Sequence, residues 1–246
     1  MKVLVCISKA PDTTSKIAFT DGDTKFDTNG VKYIVNPYDE WYALVKGIEL
    51  KEAHGGTVTT ITIGGAEDEP TIRKALAIGA DDAVRINTEA VEASQVAAEI
   101  ANYAKANNFD VVLLGKETID YNGSQVGSMV AEHLDMPFIS LAERLEINGS
   151  TASLDREITG GVQTVEVELP IVVSCLKGMA EARIPNMRGI MAARTKPLAV
   201  VEPSNVAKLT EYVKYSLPAP KSAVKLIDPA NMDELVALLH NEAKVI

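Results

Sequence analysis

The stretch Asp110–Leu134, DVVLLGKETIDYNGSQVGSMVAEHL, decides the fold. An apolar run from Val111 to Leu114 stops at Gly115, a polar loop with Gly123 follows, and Val126, Met129, Val130 and Leu134 then recur at helical spacing. That order reads as a strand of a parallel sheet, a loop at its carboxyl end, and an amphipathic helix. The first turn of such a helix leaves N–H groups without partners, and the helix dipole makes that end positive. Such a place suits phosphate. The stretch therefore reads as a nucleotide site, and no catalytic side-chain set comes with it.

Upstream, strand-like and helix-like runs alternate, the pattern of βαβ units and a mostly parallel, doubly wound, Rossmann-like sheet. Val3–Ile7 is the first strand, and the polar Asp21–Gly30 stretch is a hairpin or excursion. Trp41, Leu44, Val45 and Ile48 share a helical face, with Asn36-Pro37 and the acids Asp39 and Glu40 marking the helix start. Thr57–Ile63 is a strand ending at Gly64-Gly65. Thr71–Ile78 is a helix that Gly79 closes in the left-handed conformation. Val84–Ile86 is a short strand, and Val96, Ile100 and Tyr103 mark a third helix. Past residue 136, Leu141–Ile147, Ala152–Ile158, Val162–Leu169 and Ile171–Leu176 read as strands. Hairpin turns at Ile147-Asn148-Gly149 and Thr159-Gly160-Gly161 join some of them as antiparallel additions to the sheet.

The chain has 246 residues, 46% of them hydrophobic, enough for a sizeable core. Its 24 basic residues against 34 acidic ones give a net charge of −10. That balance argues against nucleic acid or an anionic membrane as the main partner, since both require a basic footprint. No apolar run reaches the ~18 residues of a membrane span. The first strand begins at once and leaves no room for a leader. Cys6 and Cys175 stand apart without metal spacing and read as packing residues of a reducing compartment, taken as the cytoplasm.

In an open α/β sheet a ligand sits beyond the carboxyl ends of the strands. Three such ends carry small or polar residues here: Cys6-Ile7-Ser8, Ile63-Gly64-Gly65, and Gly115 to Gly127. Asn36 and Asp39 could face the same crevice, Gly64 and Gly115 would let backbone approach a ligand, and Asn122, Ser124 and Gln125 add donors. Each of these alone is also an ordinary strand-to-helix turn. Neither GxGxxG nor GxxxxGK[ST] occurs, so a standard dinucleotide site and a P-loop are unsupported. The three histidines, His54, His133 and His240, lack metal-ligand spacing, and no GxSxG elbow is present. A binding protein fits better than an independent hydrolase.

Two further segments carry information. Residues 180–194, AEARIPNMRGIMAAR, interleave apolar residues with Arg183, Arg188 and Arg194, either as an adaptable protein-docking surface or as a covering helix with solvated arginines. From Thr195 onward five of the 11 prolines occur (Pro197, Pro203, Pro218, Pro220, Pro229), which disfavours further βα structure. A final helix from Met232 to His240 carries Leu235, Leu238 and Leu239. This tail folds back on its own domain or embraces another subunit. The division expected is a nucleotide-binding domain over 1–194 and a C-terminal arm over 195–246.

Taken in order, VLVCISKAPDT, VNPYDE, TIRKALAIGADDA, VVLLGKETIDYNGSQVG, DREITGGVQTVEVELPIVVS and ARIPNMRGIMAARTKPL resemble the beta subunit of electron-transfer flavoprotein over nearly the whole chain. The family's signature falls on Arg156, Gly160, Gly161, Gln163, Pro170, Val172 and Val173. Thr159 stands where the family has an acid, and Leu154 and Ser174 are conservative departures.

The resemblance implies an electron-carrier subunit rather than an enzyme. An alpha subunit would hold most of a shared FAD, and this chain would bury an AMP without redox role. By position, the AMP contacts fall on Cys6, on Asn36, Pro37, Tyr38 and Asp39, and on Ile63. The rest fall on Gly115, Lys116, Glu117, Thr118, Ile119, Asp120, Tyr121, Asn122, Gly123, Ser124, Gln125 and Val126. Ile184 beside Pro185 aligns with the family's docking loop for acyl-CoA or related dehydrogenases, with electrons passing on to a quinone oxidoreductase, as in fatty acid β-oxidation. Thr13 replaces an aromatic residue that some members place near the flavin, so no flavin contact is assigned to it. The tail matches the family's habit of wrapping the alpha subunit. Two alternatives stay open: an electron-bifurcating complex with a second FAD in place of AMP, and a stand-alone adenine-nucleotide-binding protein.

Overall fold

A computed structural model describes residues 1–37, 39–89, 92–204 and 206–246. The chain opens with β1 (Lys2–Cys6) and makes an excursion through β2 (Lys9–Pro11), the short hairpin β3 (Phe19–Thr20) and β4 (Lys25–Phe26), and β5 (Tyr33–Val35). Helix α1 (Asp39–His54) follows, then β6 (Thr57–Ile63), α2 (Glu69–Ile78), β7 (Asp82–Ile86), α3 (Ala93–Asn107), β8 (Val111–Gly115) and α4 (Val126–Leu134). The second half holds β9 (Phe138–Asn148), β10 (Thr151–Ile158), β11 (Gly161–Glu168), β12 (Ile171–Cys175), α5 (Met187–Ala193), β13 (Leu198–Val201) and α6 (Met232–Ala237).

Nine strands form one sheet in the order β11-β10-β9-β12-β8-β1-β6-β7-β13. The central strands are covered on both faces, which is why they read as unbroken apolar runs. Along β1, Val3 and Val5 join a core under α1 and α2, while Leu4 and Cys6 join a second core under α3 and α4. Strand β8 divides the same way, Val111 and Leu113 to one core, Val112 and Leu114 to the other. The period of two in side-chain direction thus fills both cores from one strand.

Connectivity places the crevice. From β1 the chain steps through β6 to β7 on one side, then returns to β8 on the other side of β1. All these pairings are parallel. Strand order therefore reverses between β1 and β8, and the gap lies beyond Cys6 and Gly115.

The antiparallel additions are β10 and β11, joined to β9 through turns whose glycines, Gly149 and Gly160, take φ of +64° and +88°. Helix α2 does close at Gly79, but at φ +156° and ψ −5°, outside the left-handed helical range; a Cβ there would press on Ile48 Cδ1 at 2.8 Å. The reading of Thr195 as the end of βα structure fails. Strand β13 pairs parallel with β7, Leu198 against Ala83 through Val201 against Ile86. Pro197 lies just before that edge strand, where its missing N–H breaks no ladder and its carbonyl still accepts from Ala83 N at 3.0 Å. The proline-rich chain leaves the sheet only after Val201. No helix among the described residues is long and apolar enough to cross a membrane.

Candidate functional site

One buried side chain from a distant part of the chain ties down the backbone of the loop from Gly115 to Gln125. Asn36, fully buried, donates from Nδ2 to the Glu117 carbonyl at 2.9 Å and accepts at Oδ1 from Ile119 N–H at 3.0 Å. Inside the loop, Ser124 Oγ donates to the Glu117 carboxylate at 2.6 Å and Lys116 pairs with its other oxygen at 3.0 Å. Those contacts hold the Glu117 carboxyl below its ordinary range. Asn122 and Ser124, both at φ +49°, flank Gly123 and wind the loop into left-handed backbone. Lys116 through Ile119 are half-buried, and Asp120 through Gln125 form an exposed rim.

Helix α4 begins where the rim ends. No side chain caps it, and its first intrahelical bond is Met129 N to Gln125 O at 3.2 Å. The amides of Val126, Gly127 and Ser128 are consequently left without helical acceptors at the carboxyl edge of β8. They are free to meet an anion.

The first turn of α1 closes the other side. Glu40 is buried, accepting at 2.7 Å from Ser8 N–H and at 2.6 Å from Ser8 Oγ. Burial pushes its carboxyl up to about 8; the Ser8 donors pull it down, and Asp120 and Asp39 push it further up. Burial likewise raises the half-buried Asp39 against the pull of Lys116. Pro37 is half-buried at the same turn, and Tyr38 lies outside the described residues.

Two glycines have a different use from the one expected. A Cβ on Gly115 would meet Glu40 N at 2.9 Å and Asp39 Cβ at 3.0 Å, so the close approach there is made by α1 itself. A Cβ on Gly64 would overlap the Asp68 carboxylate, which pairs with Lys9. Cys6 offers only backbone to the crevice: its side chain lies in the core under α3 and α4, and burial pushes its thiol up. Ile63 packs partly against the same core.

Glu40 is a crevice residue that the amino-acid sequence marked only as part of the start of α1, not as part of the site. An acid in a first helical turn reads as a dipole partner; its burial against Ser8 appears only when β1 and α1 are brought together.

Ile184 and Pro185 belong to a second region, bordering a cavity of about 420 Å³ floored by Ala77–Gly79 at the end of α2. The segment is anchored through its backbone and its charged flanks. Trp41 Nε1 donates to the Arg183 carbonyl at 3.1 Å, and Arg183 forks onto Glu52 at 2.7 and 2.9 Å. Arg73 donates to the carbonyls of Ala193 and Lys196 at 2.8 and 2.7 Å, and Asn186 caps α5 by accepting from Gly189 N at 2.8 Å. On this frame Ile184 stands 87% exposed, with Met187 and Met191 exposed beside it.

Comparison with known proteins identifies the family. The model of the electron transfer flavoprotein domain matches residues 23–206. The electron transfer flavoprotein subunit beta of Bacillus subtilis (strain 168) is 39% identical over 261 residues, covering 100% of both chains. That of Bradyrhizobium diazoefficiens is 34% identical over 253 residues, again with 100% of both covered. The human subunit beta is 34% identical over 212 residues, covering 84% of this chain and 83% of its own. The chain belongs to the electron transfer flavoprotein family, among its beta subunits.

Proposed function

We infer that this chain is the electron-carrier half of a heterodimer, working in the cytoplasm with an alpha subunit that holds most of a shared FAD. The chain itself binds AMP as a structural ligand. The observation that carries the reading is the uncapped first turn of α4 at the point where strand order reverses, under a loop tied down by Asn36. Free amides and a positive helix end fit a phosphate. The half-buried Asp39 carboxylate fits sugar hydroxyls, to which it can only be an acceptor while ionised. AMP would therefore lie against Asn36, Asp39 and the Gly115–Val126 segment. Bound FAD supplies the redox chemistry, and this chain supplies position and electrostatics.

Ile184 and Pro185 are the docking point for acyl-CoA or related dehydrogenases. An exposed aliphatic side chain on a backbone-anchored loop is what a partner pocket can engage without reshaping the loop. Electrons would pass on to a quinone oxidoreductase. Residues 216–246 are the part of the tail offered to the alpha subunit. Among the described residues no hydrogen bond or ion pair ties that stretch to the body, and Leu217, Val224, Leu226 and Ile246 are exposed.

Purifying the native complex, denaturing it and weighing the released small molecules tests the reading. One AMP and one FAD per heterodimer are expected. Two FAD and no AMP would make the crevice the second flavin site of a bifurcating complex. A flavin-free single chain that turns over ATP would overturn the carrier reading.

A further inference from the structure

The tail does not leave the domain as one piece. Ser204 and residues 206–215 lie along the crevice side of the sheet and are tied at three points. Ser204 N–H donates to both oxygens of the buried Glu99 on α3, each at 2.9 Å. Glu92, just before α3, accepts from Leu209 N–H at 3.0 Å and Thr210 Oγ1 at 2.8 Å, and these bonds with Ser94 hold its carboxyl below the ordinary range. Tyr215 N–H donates to the Asp23 carbonyl at 2.8 Å, in the turn between β3 and β4.

Between the second and third ties the chain stacks its aromatic rings. Tyr121, at the tip of the crevice loop, lies 5.9 Å from Tyr212, which lies 5.6 Å from Tyr215, which lies 5.0 Å from Phe19 on β3. All three ring pairs are stacked, with interplanar angles of 28°, 25° and 12°. Four rings from three separate parts of the sequence thus link the loop, the tail and the hairpin. The loop's ties to Asn36 are polar hydrogen bonds, whereas Tyr212 meets it by ring stacking.

We propose that residues 206–215 are a strap that locks the crevice loop, with Tyr212 as the positioning residue that holds Tyr121 and slows release of a nucleotide bound beneath. This rests on the crevice being an adenylate site. A strap of this kind explains why the tail up to Tyr215 keeps acceptors and aromatic partners on its own domain, while among the described residues the stretch beyond Tyr215 has none. It also couples the two: whatever pulls on the distal tail pulls on the loop.

The test uses the native heterodimer carrying Tyr212→Ala, Tyr212→Phe or Glu92→Gln, with loss of bound AMP followed during dilution and trypsin cleavage followed at Lys208 and Lys214. Tyr212→Ala is expected to release AMP about three- to tenfold faster, the range of one stacked pair, and to speed trypsin cleavage after both lysines, whose side chains are already exposed. Tyr212→Phe keeps the ring and should behave as the unaltered protein; Glu92→Gln loosens one tie and should fall between. Release from Tyr212→Ala at the unaltered rate, with AMP present in both proteins, overturns the strap and leaves the crevice reading standing. Absence of adenylate from the unaltered complex overturns both.

Discussion

The crevice loop and the segment around Ile184 are held in opposite ways. At residues 115–126 the protein spends buried polar groups: Asn36 and Glu40 carry no exposed surface to speak of, and their bonds fix backbone that would otherwise be free. At residues 183–194 the ties are carbonyls caught by Trp41 and Arg73 and a half-exposed ion pair, while the apolar side chains face outward. A ligand that must stay put needs the first arrangement; a surface that meets partners briefly needs the second. Substitutions in the two regions should therefore separate stability from electron transfer.

Asn36→Ala should have the largest effect on stability. It removes two hydrogen bonds and leaves the Glu117 carbonyl and the Ile119 amide unpaired under the loop. A loss of about 2–3 kcal/mol follows, read as a lower urea midpoint, and bound AMP should fall in step. A variant with unchanged midpoint and full AMP would show that the loop is held from elsewhere.

These arrangements were unequally legible in the amino-acid sequence. The alternation of β1, β6, β7 and β8 with α1 to α4 was plain, because strands buried on both faces leave apolar runs and helices leave a repeating stripe. The crevice was legible as a place, from Gly115 and the start of α4. Its internal ties were not, since Asn36 lies 81 residues from Glu117. Gly64 and Gly115 announced close approach, yet the groups that approach are Asp68 and α1. In the tail, prolines masked β13, which costs nothing where Pro197 sits outside the ladder. The tyrosine stack had no signal at all, because Tyr121 and Tyr212 share no local pattern.

Glu40 gives the comparison a pH axis. Its carboxyl ordinarily loses its proton near 4.5 and in the folded chain near 8. Between those values the folded state keeps a proton that the unfolded chain has shed, so stability is fullest below 4.5 and drains as pH rises through 8. While protonated at Oε1, the group can donate to Ser8 Oγ and still accept from Ser8 N–H. Urea midpoints should fall as pH rises from 5 to about 8, with this group contributing to the slope. Glu40→Gln should remove that slope; an identical slope in the variant would assign it to other groups.

In the docking region the same measurements should barely move. Glu52→Gln breaks the fork with Arg183, whose two side chains are 38% and 54% exposed, so less than about 1 kcal/mol is at stake. The Arg183 backbone remains held by Trp41, and the segment should keep its place.

Ile184→Ala should leave stability within about 0.5 kcal/mol, since so exposed a side chain loses little on truncation. The heterodimer, its FAD and its AMP should be unaltered. Electron transfer from the dehydrogenase should nonetheless drop by roughly tenfold, because an aliphatic anchor in a partner pocket carries a large share of docking energy. The effect should appear as a higher apparent KM for the carrier, with the limiting rate at saturation preserved, if Ile184 serves encounter and not the transfer step itself. Unchanged transfer in Ile184→Ala, with Asn36→Ala behaving as above, would keep the crevice account and move the docking point elsewhere on the molecule.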